Sequence, residues 1–264
     1  MSPAAPLRFW EERHARLDPL AAVGHATVGE PFNRWMYRVR RDVFLGIVPA
    51  LLGARRDIAV LDVGSGTGFY AELWRELGVV DVTASDAAPT AVARLRDRLG
   101  DAQVLGLDIA GAPDALPDRR FDAVSAFDVL FHLVDDAAYE RAFANLGELV
   151  RPGGLLLFSE NFRPDATHRV SSTQVDRAAS WTLRLLDGAG FDVIERRPMF
   201  VLMNDPQNTG SALLRTWWRA LSRVLQAWPA AGAAVGPPLH LVERALVRRD
   251  GPGPSTDLMA CRRR

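Results

Sequence analysis

The sequence predicts an α/β fold, a mostly parallel sheet with helices on both faces. Two observations carry this. Short apolar runs alternate with amphipathic segments between residues 57 and 202. The first clear run, "VLDVGSGTGFY" (60–70), ends in three glycines within five positions. A strand tip stripped of side chains makes room for something, and ligands of open parallel sheets bind outside the carboxyl ends of the strands, at the switch point in strand order.

Residues 7–52 read as helical, because Trp35, Val39, Val43 and Ile47 recur at near-helical spacing. "DIAVLDV" (57–63) reads as a buried strand, and "FYAELWRELG" (69–78) as a helix ended by Gly78. "VVDVTASD" (79–86) is a second strand, "APTAVARLRDRLG" (88–100) a helix ended by Gly100, and "AQVLGLDI" (102–109) a third strand. "RFDAVSAFDV" (120–129) is a fourth, followed by the helix "DAAYERAFANLGELV" (136–150). "PGG" turns the chain into "LLLFSEN" (155–161), a fifth strand. "STQVDRAASWTLRLLDGAG" (172–190) reads as a helix and "FDVIERRPMFVL" (191–202) as a strand. The rhythm then breaks. "SALLRTWWRALSRVLQAWP" (211–229) reads as an apolar helix, "AAGAAVGPP" as turn-rich, "LHLVERALVR" as helix or strand, and "TDLMACR" (256–262) as a short last strand. The expected organisation is a helical cap over 1–52, a core over 53–202, a helical insertion over 203–247 and the last core strand within 248–264.

Composition excludes several classes. The 264 residues are 48% hydrophobic and carry 32 basic against 32 acidic side chains. No overall basic footprint for nucleic acid or anionic lipid follows, so neither a nucleic-acid nor a membrane partner is expected. Every basic residue other than histidine is arginine, a pattern of GC-rich coding, and without lysine no Schiff base can form. One cysteine, Cys261, excludes an intrachain disulfide and a multi-thiolate zinc or iron–sulfur site. The charged N-terminal stretch does not read as a secretory segment and no apolar run is long enough to span a bilayer, so a cytoplasmic chain is expected.

The acids at successive strand tips define a ligand. A dinucleotide site wants G-x-G-x-x-G, but Gly64, Gly66 and Gly68 give G-x-G-x-G, with Phe69 where the third glycine belongs. Asp62 lies two residues before the first glycine, where it repels a pyrophosphate and attracts an amine. Asp86, about 20 residues on, can accept from both ribose hydroxyls. Asp108 can accept from an adenine amine, with Ile109 packing on the ring. These residues draw a ligand with an adenosine, a cationic end and no phosphate, which S-adenosylmethionine fits. Each feature also has a plain structural use: Asp62 as a turn cap, Asp86 and Asp108 as helix N-caps.

With these pieces, "VLDVGSGTGFY", "VTASD", "GLDI", "FDAVSAFDVLFHL", "RPGGLLLFSEN" and "WTLRLLDGAGFDVIE", the sequence resembles the class I S-adenosylmethionine-dependent methyltransferases over about residues 57–200. The resemblance implies a Rossmann-like, seven-stranded sheet whose last strand is antiparallel to the rest. It places Gly64, Gly66 and Gly68 along the methionine and ribose, Asp62 near the amino group, Asp86 at the ribose, Asp108 at the adenine amine flanked by Leu107 and Ile109, and Asp128 between cofactor and acceptor, with Ala87 and Phe127 as further cofactor contacts. Tyr37, Arg38 or Arg41 of the N-terminal cap reaches the cofactor carboxylate in this reading.

Methyl transfer from a sulfonium needs chiefly alignment and exclusion of water. His132, four residues after Asp128, is the best base for an oxygen acceptor, with a packed or helix-capping histidine as the alternative. The Asn/Asp-Pro-Pro-aromatic stretch of nucleic-acid amino-methylating enzymes is absent, so the expected acceptor is a small molecule, methylated on oxygen in preference to nitrogen, in a bacterial biosynthetic setting. No resident metal is expected, although Asp128 with Glu160 and Asn161 imitates a magnesium-holding set. A nicotinamide-dependent oxidoreductase and a non-catalytic S-adenosylmethionine-binding protein are the alternatives. Trp217, Trp218, Trp228, Leu213, Leu214 and Leu221 of the insertion line an acceptor lid, pack on the sheet, or form the contact of a homodimer.

Overall fold

The computed structural model describes residues 4–16, 24–25, 27–99, 103–164 and 166–264. Among these, α1 (Ala4–Arg16) and α2 (Gly29–Leu52) precede the sheet. Then come β1 (Ala59–Val63), α3 (Phe69–Glu76), β2 (Asp81–Asp86), α4 (Pro89–Leu99), β3 (Gln103–Gly106) and β4 (Phe121–Ala126). They are followed by α5 (Asp136–Leu149), β5 (Val150–Arg163), β6 (His168–Arg169), β7 (Val175–Ala178), α6 (Ala179–Gly188) and β8 (Phe191–Pro198). The chain closes with α7 (Ala212–Ala227), α8 (Ala231–Leu246) and β9 (Thr256–Arg263).

The main sheet runs β3-β2-β1-β4-β5-β9-β8, parallel through β5, with β9 inserted antiparallel between β5 and β8. This is the seven-strand, mostly parallel arrangement expected from the sequence. β1 and β4 are neighbours although two strands of sequence separate them, so the order reverses there and the glycine turn after β1 opens onto the switch point. β1 is buried along its whole length, which is why it reads as an unbroken apolar run. Two apolar cores flank the sheet. One packs Phe32, Phe44, Trp74, Leu95 and Leu225 from α2, α3, α4 and α7. The other packs Tyr139, Phe143, Leu146 and Leu186 from α5 and α6.

Several elements differ from the sequence reading. The N-terminal helical stretch is two helices; what lies between residues 17 and 23, and the Gly100 helix end, fall outside the described residues. The helix expected over 172–190 begins only at Ala179. Residues Val175–Ala178 are a strand instead, because β5 continues to Arg163 and its end pairs in parallel with Arg177 and Ala178. A neighbouring strand edge overrides the local helical pattern. "AAGAAVGPP" is not a turn but the first half of α8, with Pro237 and Pro238 inside it. Gly232 and Gly236 lie one helical turn apart on the face that meets α2. A Cβ on Gly232 would sit 2.6 Å from the Phe32 nitrogen, and one on Gly236 would sit 2.0 Å from Trp35 Cδ1. The glycines serve close helix packing rather than chain reversal.

Candidate functional site

The tips of β1, β2, β4 and β5 converge on the switch point. Gly64, Gly66 and Gly68 all have positive φ, at 63°, 54° and 84°. Any other residue would be strained there. A Cβ on Gly64 would also strike Val129 Cγ2 at 2.4 Å. The turn is closed by Ser65 N–H donating to the Ser85 carbonyl and Gly68 N–H donating to the Ser65 carbonyl, both at 2.7 Å.

Asp62 is 1% exposed. Its Oδ1 accepts from Ser125 Oγ at 2.6 Å, and that hydroxyl accepts in turn from Trp74 Nε1 at 3.0 Å. Its Oδ2 has no partner. Burial lifts the carboxyl to about 6, against the Ser125 hydroxyl that donates to it, while the Ser65 hydroxyl donates to the Asp62 main-chain carbonyl at 2.9 Å. The Tyr70 hydroxyl, from the first turn of α3, is also buried without a partner, and its ring stacks on Phe127 at 4.0 Å. Buried polar groups are rarely left unpaired in the absence of a ligand. An orphaned carboxylate oxygen beside a side-chain-free turn fits an ammonium group, and it does not fit a diphosphate.

Asp86 ends β2 with both oxygens engaged by backbone, Oδ2 accepting from Gly66 N–H at 3.0 Å and Oδ1 from Ala88 N–H at 2.9 Å. It thereby fixes the glycine turn against β2. Burial raises its pKa. Ala87 beside it is exposed. Asp108 is exposed and caps Ala110 N–H at 2.9 Å, while Ile109 is buried in the second core.

After β4 the backbone turns through Asp128 in a left-handed conformation, φ 57°. Its N–H donates to Ser159 Oγ at 2.7 Å, that hydroxyl donates back to Oδ1 at 3.0 Å, and Arg40 Nε donates to Oδ2 at 2.8 Å. Asp128 is therefore a clamped carboxylate rather than a free base. Arg40 is nearly buried between the rings of Tyr37 and Phe200. The sequence reading missed it. Arg38, singled out instead, is exposed and stacks on Trp35, whose ring contacts His240 of α8. Arg41 pairs with Glu76. The signal was available: Met36, Val39, Arg40, Val43, Phe44 and Ile47 share the inward face of α2, and an arginine on that face needs a carboxylate. Tyr37 is half-buried, edge-on to Phe69 at 4.9 Å.

His132 follows in a short helical turn (Leu130–His132). Its Nδ1 lies 2.6 Å from the Thr173 carbonyl. A carbonyl can only accept, so Nδ1 carries the proton and Nε2 presents a lone pair. Burial pushes the imidazole down to about 4. α1 lies across these tips. Trp10 packs edge-on against the His132 ring at 4.6 Å, Glu11 accepts from Thr90 N–H at 3.1 Å at the start of α4, and His14 is buried under the influence of Asp86.

The magnesium-like set is not brought together. Glu160 accepts from Tyr139 Oη at 3.0 Å and from Asn161 N–H at 2.9 Å, and Asn161 Oδ1 accepts from Thr256. Asp128 is held by Arg40 on the other side of the tip, and among the described residues no three His, Cys, Asp or Glu side chains converge. Two surface hollows of about 470 and 570 Å³ lie away from this cleft, the first at the opposite ends of the strands.

The side-chain-free turn and the carboxylates around it thus lie at the carboxyl ends of the parallel strands, where open sheets of this kind bind ligands. Residues 60–154 match a family model described as a methyltransferase domain, and the fold is the Rossmann-like α/β fold of solved methyltransferases. It is 39% identical over 100 residues to malonyl-[acyl-carrier protein] O-methyltransferase of Serratia marcescens, covering 38% of this chain and 37% of that protein. It is 40% identical over 114 residues to ubiquinone biosynthesis O-methyltransferase of Xanthomonas campestris pv. campestris (strain B100), covering 42% and 44%. Each match thus spans less than half of the curated relative. Among solved structures, the N-methyltransferase NodS of Bradyrhizobium japonicum WM9, in complex with S-adenosyl-L-homocysteine, is similar over 98% of both chains with a TM-score of 0.54 and 16% identity, a likeness of fold.

Proposed function

We propose that this chain transfers a methyl group from S-adenosylmethionine to an oxygen of a small-molecule acceptor. The observation that carries the reading is the buried, unpartnered Asp62 Oδ2 at the tip of β1, beside three glycines in left-handed conformation. When bound, S-adenosylmethionine supplies a methyl group on a sulfonium, ready for displacement. The chain's own residues do the rest. Asp62 binds the ammonium end, and the glycine turn admits the methionine and ribose without side-chain obstruction. Asp86 sets the turn and faces the ribose. Asp108 stands at the adenine end; Ile109, expected from the sequence to pack on the ring, is buried in the second core instead. Phe127 and Tyr70 form an apolar wall. Arg40 holds Asp128, and through it the turn that presents His132. Trp10 and α1 exclude water from above.

Oxygen is favoured over nitrogen because His132 offers a fixed, neutral imidazole whose Nε2 can take the acceptor hydroxyl proton as the new bond to oxygen forms. Its depressed pKa keeps it unprotonated throughout the neutral range. Both curated relatives are named O-methyltransferases, which supports the same choice. A bacterial biosynthetic role accords with the name of the second.

Calorimetric titration with S-adenosylhomocysteine and with NADH tests the cofactor. Tight binding of the first alone is expected; binding of NADH alone refutes the reading. Incubation with S-adenosylmethionine and a panel of phenols, alcohols and amines, read as a gain of about 14 daltons, tests the acceptor atom. Products confined to amines refute the oxygen preference.

A further inference from the structure

The turn that carries His132 is too small to hold itself. Leu130–His132 is one turn of 3-10 helix, followed by Leu133 N–H donating to the Leu130 carbonyl at 3.0 Å. A single turn of this kind lacks the cooperative ladder that stabilises a longer helix. Its fixed points come from the hairpin of β6 and β7, 35 to 44 residues further along the chain.

The hairpin grips the stretch 132–136 through four hydrogen bonds. The Thr173 carbonyl meets His132 Nδ1, Arg177 Nη2 donates to the Leu133 carbonyl at 2.7 Å and to Asp136 Oδ1 at 2.9 Å, and Arg169 Nη2 donates to the Val134 carbonyl at 3.0 Å. Asp135, the residue left over, caps α5 by accepting from Ala138 N–H at 2.8 Å. The hairpin is itself tied to the sheet, because Arg177 and Ala178 of β7 pair in parallel with Phe162 and Arg163 at the end of β5. β5 also carries Ser159, which holds Asp128. One strand therefore anchors the segment 128–136 at both ends, directly at Asp128 and through β7 beyond His132.

Arg177 is the unusual part of this grip. It is fully buried, and its Nε and Nη1 have no partner. Its guanidinium packs on the rings of Tyr139 and Trp181, at 3.9 and 5.5 Å from their centroids, which offsets part of the loss of water. Asp136 is largely exposed, so that ion pair adds little stability. A methionine of similar length fills such a slot without the penalty of a buried charge. The one nitrogen that donates, Nη2, gives both its bonds to the His132 turn and the start of α5.

We infer that Arg177 is a positioning residue for methyl transfer. Through the Leu133 carbonyl and Asp136 it holds the turn where the Thr173 carbonyl captures His132 Nδ1–H, and Arg169 assists from the surface. The hairpin thereby fixes a tautomer as well as a direction. A ring released from Thr173 exchanges its proton between the two nitrogens, and an Nε2–H ring has no lone pair to offer an acceptor hydroxyl. The inference rests on the reading of His132 as the base.

The test observes the His132 ring by nitrogen-15 NMR of histidine-labelled protein at pH 7, with its signals assigned by their loss in His132→Ala. Burial keeps the ring neutral at that pH. The wild-type ring is expected wholly as Nδ1–H. Arg177→Met is expected to give a mixture of both tautomers and to lower kcat for oxygen methylation about a hundredfold, with KM for S-adenosylmethionine unchanged. Arg169→Gln, at an exposed position, is expected to shift the tautomer the same way by a smaller amount. Leu186→Ala opens a cavity in the second core without touching the turn's partners; it should lower the melting temperature and leave His132 wholly Nδ1–H. A wild-type ring protonated on Nε2, an unchanged Nδ1–H ring in both arginine variants, or an equal change in Leu186→Ala overturns the inference. If Arg177→Met does not fold, Arg169→Gln decides it. The NMR readout needs neither methyl donor nor acceptor, so a full methylation rate in His132→Ala beside an Arg177-dependent tautomer refutes the base and leaves the brace standing.

Discussion

Replacing Asp62 by asparagine sets stability against binding. In the free protein the Asp62 carboxyl is buried with one oxygen unpartnered, and its pKa rises from the ordinary 3.8 to about 6. The sign follows from proton counting. Between those two values the folded chain keeps a proton that the unfolded chain has lost, so stability falls as pH rises through the window, and the full deficit is present above 6. The difference of roughly two pH units corresponds to about 3 kcal/mol. Asparagine is nearly isosteric, can still accept from Ser125, and carries no charge to bury. Asp62→Asn is therefore expected to match the wild type near pH 4 and to exceed it by up to about 3 kcal/mol at pH 8. In the proposed reading the same change removes the counter-ion of the cofactor ammonium. Loss of one partner of a buried charge pair costs about 2–5 kcal/mol, or about thirtyfold to several thousandfold in affinity. Wild-type affinity for S-adenosylhomocysteine is also expected to fall as pH drops below 6, because the carboxyl must ionise to bind; the asparagine variant should show no such slope. Urea denaturation at pH 4, 6 and 8 measures the first effect, and calorimetric titration over the same range measures the second. A variant that is less stable than wild type at pH 8, or that binds S-adenosylhomocysteine equally well there, refutes the assignment of Asp62.

Three further outcomes follow from the geometry. His132→Ala is expected to slow oxygen methylation by about 10²–10⁴ while leaving S-adenosylhomocysteine affinity intact, and the acid limb of the wild-type rate profile should lie near pH 4 rather than 6.5, as steady-state kinetics will show. Gly64→Ala should destabilise by about 2–4 kcal/mol, adding left-handed backbone strain to the clash with Val129, and Val129→Ala in the same chain should relieve only the steric part, measured as a double-mutant cycle in urea. Arg40→Met leaves the Asp128 carboxylate without its cation and is expected to cost about 3–5 kcal/mol, whereas Arg38→Met, on the exposed face, should change stability by less than about 0.5 kcal/mol; thermal melts of the pair distinguish them.

The succession of strands and helices along the chain and the residues at the strand tips were legible because both are local. A buried parallel strand needs a continuous apolar run, as in "AVLDV", and a left-handed turn needs glycine, so "GSGTG" announces itself. Aspartates at tips are fixed by the same register, which is why Asp62 and Asp86 both lie beside the glycine turn. What sequence left open depends on contacts between segments far apart in the chain. Whether "VDRA" is helix or strand was decided by the extended edge of β5, and "AAGAAVGPP" became helix because its glycines let α8 approach α2. Choosing Arg40 over Arg38 required knowing which face of α2 meets Asp128, 88 residues away. That Trp218 of α7 is covered while Trp228 is exposed is likewise invisible to composition, since whether a tryptophan is buried depends on what packs against it. Local geometry is set by the residues that adopt it; burial and pairing are set by the whole chain, because they are properties of two surfaces at once.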